Sequence, residues 1–265
     1  KVQAVARGSH HAGEPQERLE SDGVDERDAR AVDDDVPTGL QQFARTSSER
    51  IRFVRGELAI ERYDVRATMC LTVDLHAIFL SRRMARVTSI KVNDPVILSL
   101  SDEQIWDYPW LYFVEPSNIE FSGDEVDTLR EFLLRGGTAT FDDFHGPVEW
   151  DLVERQLKRV FPDRKLVQLT PEHAVFNCFY ELGQYPQIPG LGSFFDGVTW
   201  EKGGYDSQLH AILDDDGRAM VLANFNTDMG DGWEWSNAED YPNYIKFTAQ
   251  SYRMVINEIV YALTH

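Results

Sequence analysis

The sequence is poor in basic residues and in long apolar stretches, and each shortage excludes a class of protein. Its 26 lysines and arginines are outnumbered by 45 aspartates and glutamates, so the formal net charge is −19. A chain this acidic repels phosphate, and we therefore expect no nucleic-acid partner. No apolar run approaches the roughly 18 residues that a membrane span needs, so we expect no transmembrane segment in this chain.

Cysteine is also scarce. The two cysteines, Cys70 and Cys178, do not form the C-x-x-C pair that is typical of a structural zinc site. Both lie among apolar residues, where a thiol usually serves as a small buried hydrophobic group. Their spacing leaves open whether they pair with each other. We predict no cofactor and assign no metal site.

Residues 1–51 are predicted to form an extended acidic arm outside the folded domain. Between Glu14 and Asp35 there are ten acidic residues, three arginines and almost no large apolar side chains. Such a segment cannot bury enough surface to offset the conformational entropy lost on ordering. We interpret it as an arm that orders when it wraps a partner or packs on the chain's own folded part.

Residues 52–265 are predicted to form a single α/β domain. The chain is 42% hydrophobic, which suffices for one sizeable core. Apolar periodicity predicts strands at 53–62, 89–93, 96–100, 110–114, 138–141, 166–169, 210–213 and 219–223, and helices at 71–87, 122–135, 150–161, 172–182 and 243–263. Strand, helix and strand joined by short connections favour a right-handed crossover in a parallel sheet.

The clearest local signal lies before the strand at 138–141. Ser122 and Glu125 have the spacing of a capping box, which predicts the first turn of a helix. Gly136 or Gly137 is expected to end that helix as a left-handed C-cap. The strand that follows leads directly into an acidic turn, and the loop past the carboxyl end of a central strand is where α/β proteins usually bind ligands.

That acidic turn carries the first candidate site, Asp142, Asp143 and His145. Carboxylates beside an imidazole can act as acid and base or can hold a metal ion. The alternative interpretation is structural, with Asp142 capping the next turn and Asp143 paired with an arginine. His173 is a further catalytic candidate that could reach the same crevice, although a structural histidine is the favoured interpretation.

A second candidate site, for binding, lies at 225–234, which we predict to be a glycine-rich loop. Its oxygen-bearing side chains are Asn226, Asp228 and Asp231, and Trp233 and Trp235 follow. Alternating oxygen ligands can bind calcium, but the closing glutamate of a twelve-residue calcium loop is missing. Aromatic rings beside carboxylates can stack on sugars, pin a loop to the core or anchor an interface. The sequence does not separate these roles.

Several motifs occur in an order that resembles the bacterial family called domain of unknown function 4159. They are Tyr-Pro-Trp-Leu-Tyr at 108–112, the segment 129–137, Phe-Asp-Asp-Phe at 141–144, Val-Phe-Pro-Asp at 160–163, Glu-His at 172–173, Asp-Gly-Arg at 216–218, Asp-Gly-Trp at 231–233 and the segment 257–265. The resemblance covers about residues 52–265. It implies a flavodoxin-like α/β fold, similar to the three-layer sandwich with a mostly parallel sheet of class I glutamine amidotransferases.

The resemblance implies no established activity, and one departure argues against catalysis. Amidotransferases of this type carry a nucleophilic cysteine on a sharp turn between a strand and a helix. The corresponding turn here, at 141–145, has no cysteine. We therefore favour a non-catalytic subunit that docks on other protein subunits through its arm and aromatic loops. The alternative is a hydrolase of glycans or amides that uses Asp143 and His145, with or without a metal.

The compartment is predicted from the resemblance alone. Relatives often carry export signals, so we expect the periplasmic side of the cell envelope, in an assembly peripheral to a membrane. The first residue is Lys1 and not Met, which is compatible with a leader that has been removed. A cytoplasmic location is the alternative.

Overall fold

The computed structural model describes residues 49–54, 57–62, 67–70, 77–93, 95–237 and 239–265. The predicted arm lies outside these residues except for its last three. The described chain begins with an antiparallel hairpin of β1 (Glu49–Val54) and β2 (Glu57–Arg62). The single strand predicted at 53–62 is therefore wrong. Apolar residues alternate in both strands of a hairpin, so this pattern does not show where one strand ends and the next begins.

A second, six-stranded sheet forms the centre of the domain. Its strands are β3 (Ala67–Cys70), β4 (Trp110–Val114), β5 (Thr138–Phe144), β6 (Val167–Gln168), β7 (Gln208–Leu213) and β8 (Ala219–Phe225), in the spatial order β3-β4-β5-β8-β7-β6. The first four in that order are parallel neighbours, whereas β7 and β6 add on as antiparallel strands. The α/β class is confirmed, and the sheet is mixed.

Helices cover both faces of this sheet. They are α1 (Ala77–Val87), α2 (Gly123–Leu134), α3 (Gly146–Val160), α4 (Leu191–Phe195), α5 (Met229–Glu234) and α6 (Ile245–Thr264). Residues of α2 and α3 share one apolar core with β4, β5 and β8. Residues of α1, α5 and α6 form the core on the other face. No helix in the described part of the chain is long and apolar enough to cross a membrane.

The predicted boundaries of α2 are confirmed. The Ser122 hydroxyl accepts from Glu125 N, and the Glu125 carboxylate accepts from Ser122 N, so both bonds of the capping box are present. Gly136 has a φ of 108°, which is the left-handed conformation expected just past the helix end. The Arg218 guanidinium donates to Leu133 O at 2.8 Å and to Gly137 O at 3.0 Å, so the residue just before β8 binds backbone carbonyls at the end of α2.

Four other predictions of secondary structure are wrong. The strands predicted at 89–93 and 96–100 do not form, since the described residues there have only isolated bridges at Val92 and Val96. The segment 172–182 contains only a short 3-10 turn, Ala174–Phe176, because the Asn257 side chain bonds both N and O of Tyr180 and replaces helical hydrogen bonds. The loop predicted at 225–234 contains the short helix α5. Asp228 caps it by accepting from Asp231 N, and Gly230 and Gly232 gave no helical signal in the sequence.

Candidate functional site at the carboxyl edge of the sheet

The backbone is strained at one edge of the sheet. Among the described residues, four that are not glycine have positive φ: Glu115 (46°), Asp143 (60°), Lys202 (48°) and Asn226 (60°). Glu115 follows β4, Asp143 lies near the end of β5, and Asn226 follows β8. Strain of this kind costs roughly 1–3 kcal/mol per residue and is concentrated at functional sites in proteins. We call this region the carboxyl edge.

Hydrogen bonds show that these strained residues meet. Glu115 N donates to Asp142 O at 3.1 Å and Asn226 N donates to Phe144 O at 3.0 Å, so both flank the end of β5. Lys202 belongs to the long irregular segment 183–207, which we call the excursion. It lies at the end of β5 as well, since its carbonyl oxygen is 2.1 Å from where a Cβ on Gly146 would be. The excursion therefore covers the carboxyl edge.

A β-bulge sets the direction of the acidic side chains in β5. Phe141 pairs with Ala223 and Phe144 pairs with Phe225, so β5 has one extra residue between these pairs. The Asp142 side chain is fully buried, whereas that of Asp143 is 19% exposed. The two adjacent aspartates, equivalent in the sequence, thus occupy different environments.

Asp142 ties three elements together. Its carboxylate accepts hydrogen bonds from the Tyr112 hydroxyl on β4, from Met229 N at 3.3 Å and from Gly230 N at 3.0 Å at the start of α5. Burial raises the pKa of Asp142 to about 7, against the lowering effect of the Tyr112 hydrogen bond. The structural interpretation, in which Asp142 caps the next turn, is therefore wrong, because its carboxylate accepts instead from the first turn of a helix more than eighty residues away.

A second buried carboxyl lies close to Asp142, contributed by Glu258 on α6. It accepts from Thr140 Oγ1 at 3.0 Å, and Trp110 Nε1 donates to the same hydroxyl at 2.9 Å. Burial, and then the charge of Asp142, raises the pKa of Glu258 to about 8. Its other oxygen, Oε1, is buried and has no hydrogen-bond partner in the described part of the protein.

Asn224 on β8 links the two carboxyls. Interaction with its side chain lowers the pKa of both Asp142 and Glu258. Its Nδ2 nevertheless has no hydrogen bond of normal geometry to a described residue, while its Oδ1 accepts from the Tyr185 hydroxyl at 2.8 Å. Asn224 is therefore a polar contact between the two carboxyls and makes no hydrogen bond to either.

Sequence reasoning missed Tyr112, Asn224 and Glu258. Tyr112 and Asn224 lie within apolar strands. The one signal that could have indicated them is a polar side chain at a position predicted to be buried. Glu258 gave a stronger signal, since it lies between Ile256 and Ile259 in a helix that is buried over most of its length. A carboxylate in such a place requires partners or a raised pKa.

The predicted binding residues Asp228 and Asp231 stand at the start of α5. Asp231 accepts from Leu191 N at 2.6 Å and from Trp235 Nε1 at 3.0 Å. Burial first, and then the charges of neighbouring aspartates, raises the pKa of Asp228; burial also raises that of Asp231. Within the described ranges, no group of three or more histidine, cysteine or acidic side chains is arranged to hold a metal ion.

Asn226 holds the excursion onto the sheet. Its Oδ1 accepts from Gly146 N at 2.9 Å and its Nδ2 donates to Asp206 O at 2.7 Å. A Cβ on Gly204 would lie only 2.1 Å from Asn226 Oδ1, so glycine is needed for this close approach. The amide of Asn226 therefore joins β8, α3 and the excursion.

His145 and Asp143 form the part of the site that reaches the surface. His145 Nε2 lies 3.1 Å from Asp143 Oδ1, and its backbone N donates to Glu149 Oε2 at 2.7 Å. Glu149 in turn pairs with Lys202, with 2.8 Å between Oε1 and Nζ. The predicted partner of Asp143 was an arginine, and the contact observed is with a histidine. A buried imidazole beside a partly exposed carboxylate is able to orient that carboxylate as a base.

The remaining predicted residues lie apart from this pair. His173 Nδ1 accepts from Val175 N at 3.2 Å and its ring packs on Tyr261, whose hydroxyl accepts from Ala219 N. Ala219 begins β8, so His173 lies at the opposite edge of the sheet and does not reach the crevice. Trp233 is buried, with its ring 5.5 Å from that of Tyr112.

The described cysteine is not a nucleophile at this edge. The Cys178 thiol is half-buried and donates to Asn257 O on α6 at 3.1 Å. Burial raises the pKa of this thiol to about 12, which disfavours the reactive thiolate. The sulfur of Cys70 lies outside the described side chains.

Comparison with known proteins gives a family match and no activity. The family model described as Domain of unknown function (DUF4159) matches residues 76–263. The match spans β4 to β8, α1 to α5, all but the last residue of α6, and every residue of the carboxyl edge. The search of curated proteins found no match.

Proposed function

This chain belongs to the DUF4159 family, and we propose that it is a non-catalytic binding subunit of a larger protein assembly. One contrast carries the proposal. The groups at the carboxyl edge that could do chemistry are mostly buried and bonded to the protein itself, whereas the excursion that covers them presents exposed aromatic rings, with Trp200 37% and Tyr205 63% exposed. Large exposed aromatic side chains are enriched where proteins bind each other.

We further propose the finer details that the resemblance suggests. The parallel neighbours β4, β5 and β8, with helices on both faces, support a fold similar to class I glutamine amidotransferases without their cysteine. A position in an envelope assembly, peripheral to a membrane, is a proposal from the resemblance alone. The acidic arm would supply a second contact with the same partners.

The test is quantitative co-purification from the native organism under mild detergent, with the tagged wild type and a W200A/Y205A double variant. We expect stable partners with the wild type and an at least tenfold loss with the double variant. W106A is the matched control, because Trp106 is also exposed, at 41%, but lies beside α2. Equal recovery of partners by wild type, W200A/Y205A and W106A would contradict the proposal.

A second candidate function is hydrolysis, and one observation favours it. Asp143 has the left-handed conformation of a residue at a strand-to-helix turn, and it pairs with the buried His145. In this version Asp143 activates water or attacks the substrate. Turnover of a glycan or amide substrate that D143N abolishes, and that W200A/Y205A retains, would support hydrolysis in place of the binding subunit.

A further inference from the structure

Trp200 and Tyr205 form a pair on the excursion. Their ring centroids are 4.6 Å apart and the ring planes meet at 58°, so the two rings make an open corner and not a closed stack. Both side chains are exposed. We call these two residues the aromatic pair.

The aromatic pair is held in place by the backbone beneath it. Gln187 Nε2 donates to Gly204 O at 3.2 Å and to Tyr205 O at 3.1 Å, while Gln187 Oε1 accepts from Thr199 Oγ1 at 2.9 Å. One side chain thus clamps the residue before Trp200 and the backbone of Tyr205. Rings fixed in this way lose little conformational entropy on binding, which favours recognition.

The charge around the aromatic pair is negative. Glu201 and Asp206 are the sequence neighbours of the two rings. Burial lowers the pKa of Lys202, but the hydrogen bond and charge of Glu149, and then the charges of Asp143 and Glu201, raise it overall. Lys202 is the basic residue of the excursion, and it is neutralised by Glu149. The whole chain has a net charge of −19. Such a field attracts cations and repels anionic lipids and nucleic acids.

Aromatic faces within a negative field favour one ligand chemistry, a cation that carries apolar surface. The protein already contains this contact at another exposed tryptophan, where the Arg135 guanidinium lies 4.7 Å from the Trp106 ring. Within the described residues no arginine or lysine is placed over either ring of the aromatic pair. The pair therefore offers to a partner the contact that Arg135 makes internally.

We propose that the aromatic pair is the docking site for an arginine-bearing basic segment of a partner protein. This rests on the proposed function, since it specifies the chemistry of the partner that the binding subunit would hold. The guanidinium would lie against Trp200 or Tyr205 and would donate charge-assisted hydrogen bonds to nearby carboxylates.

The test uses the full chain and defined probes at physiological salt. Octa-arginine, octa-lysine, octa-glutamate and a neutral hexasaccharide are titrated by calorimetry and tryptophan fluorescence. We expect octa-arginine to bind more tightly than octa-lysine, and octa-glutamate and the sugar not to bind. W200A/Y205A should weaken octa-arginine binding about tenfold, whereas W106A should leave it unchanged.

Equal octa-arginine affinity for wild type and W200A/Y205A would overturn the inference, because binding would then reflect net charge alone. Tighter binding of the sugar would overturn it in favour of glycan recognition. Near-ultraviolet circular dichroism of the double variant, and partial rescue by W200F/Y205F, guard against misfolding. If the variant loses native partners but not octa-arginine, this inference fails and the proposed function stands. If octa-arginine binding depends on the aromatic pair but no native partner is recovered, the aromatic pair still recognises an arginine-bearing cation and the proposed function fails.

Discussion

At the scale of single residues, the carboxyl edge is governed by burial of carboxyl groups. Asp142, Asp228 and Glu258 lie within the core and are joined to hydroxyl or backbone N–H donors, and burial raises the pKa of each. A raised carboxyl pKa means that the folded state holds a proton that the unfolded chain has released. These groups therefore favour folding at low pH, and their contribution is lost as the pH rises.

The pH dependence can be tested with E258Q. The pKa of Glu258 is about 8 in the fold and normally 4.5, so stability should fall between these pH values by up to about 1.4 kcal/mol per pH unit. Glutamine stays neutral and still accepts from Thr140. We expect the melting temperature of E258Q, relative to wild type, to be higher at pH 9 than at pH 5.

The exposed Glu120 supplies the control, since E120Q should follow the wild-type curve at every pH. If the difference in melting temperature between E258Q and wild type were the same at every pH in this range, the prediction of a raised pKa for Glu258 would be wrong.

Gly146 is a second residue whose role depends on its surroundings. Its φ is 68°, and a Cβ there would lie 2.1 Å from Lys202 O. We expect G146A to lower the free energy of unfolding by about 2–3 kcal/mol in urea denaturation. G123A is the matched control, because nothing lies within 4 Å of a Cβ at that position in the first turn of α2. An unchanged midpoint for G146A would contradict the packing of the excursion on α3.

At the scale of elements, local signals and long-range contacts contribute in different ways. The helix α2 begins and ends where its capping residues predict, because both caps act within one turn of the chain. The helix α5 is held at its start by Asp142 from a distant strand. The segment 172–182 is kept out of a helix by Asn257. Both of these depend on side chains far away in the sequence.

The cap of α2 can be measured directly. S122A removes the hydroxyl that accepts from Glu125 N and should cost about 1 kcal/mol of unfolding free energy. S122D retains a side-chain acceptor and should recover most of the loss. If S122A and S122D were both as stable as wild type in urea denaturation, this helix would be fixed by packing and not by its cap.

At the scale of the whole molecule, the proposed function assigns two surfaces to partners. The excursion 183–207 presents the aromatic pair above the carboxyl edge, and the acidic arm precedes the folded residues. Because the arm has almost no large apolar residues, its removal should leave the core unchanged. The arm is thus predicted to contribute to association and not to folding.

A chain that lacks residues 1–48 tests this division. Its melting temperature should stay within about 2 °C of wild type, because surface changes away from the core usually alter stability by less than 0.5 kcal/mol. Co-purification of native partners should weaken. A Gly/Ser arm of the same length is the control for charge, and it should behave like the truncation. Full recovery of partners by the truncated chain would contradict a role for the arm.

The sequence by itself determined the α/β class, the capped helix α2, the strands β7 and β8, the length of α6 and the family. Each of these depends on spacing within one element or on motifs in order, which a linear chain displays directly. It also indicated the strand end at Asp142 and Asp143 as the region where polar groups meet. The position of a strand end in a parallel sheet follows from the strand order, and the loops after such strands meet at one edge.

Only the tertiary structure decided how these side chains differ. A bulge of one residue buries Asp142 and leaves Asp143 partly exposed. Long-range packing brings Glu258, Asn224 and Tyr112 to the same core, and it places His173 at the other edge. Burial and the charge of neighbouring groups set the pKa of these carboxyls. Neither can be predicted from the local sequence, because both arise from atoms that are distant along the chain.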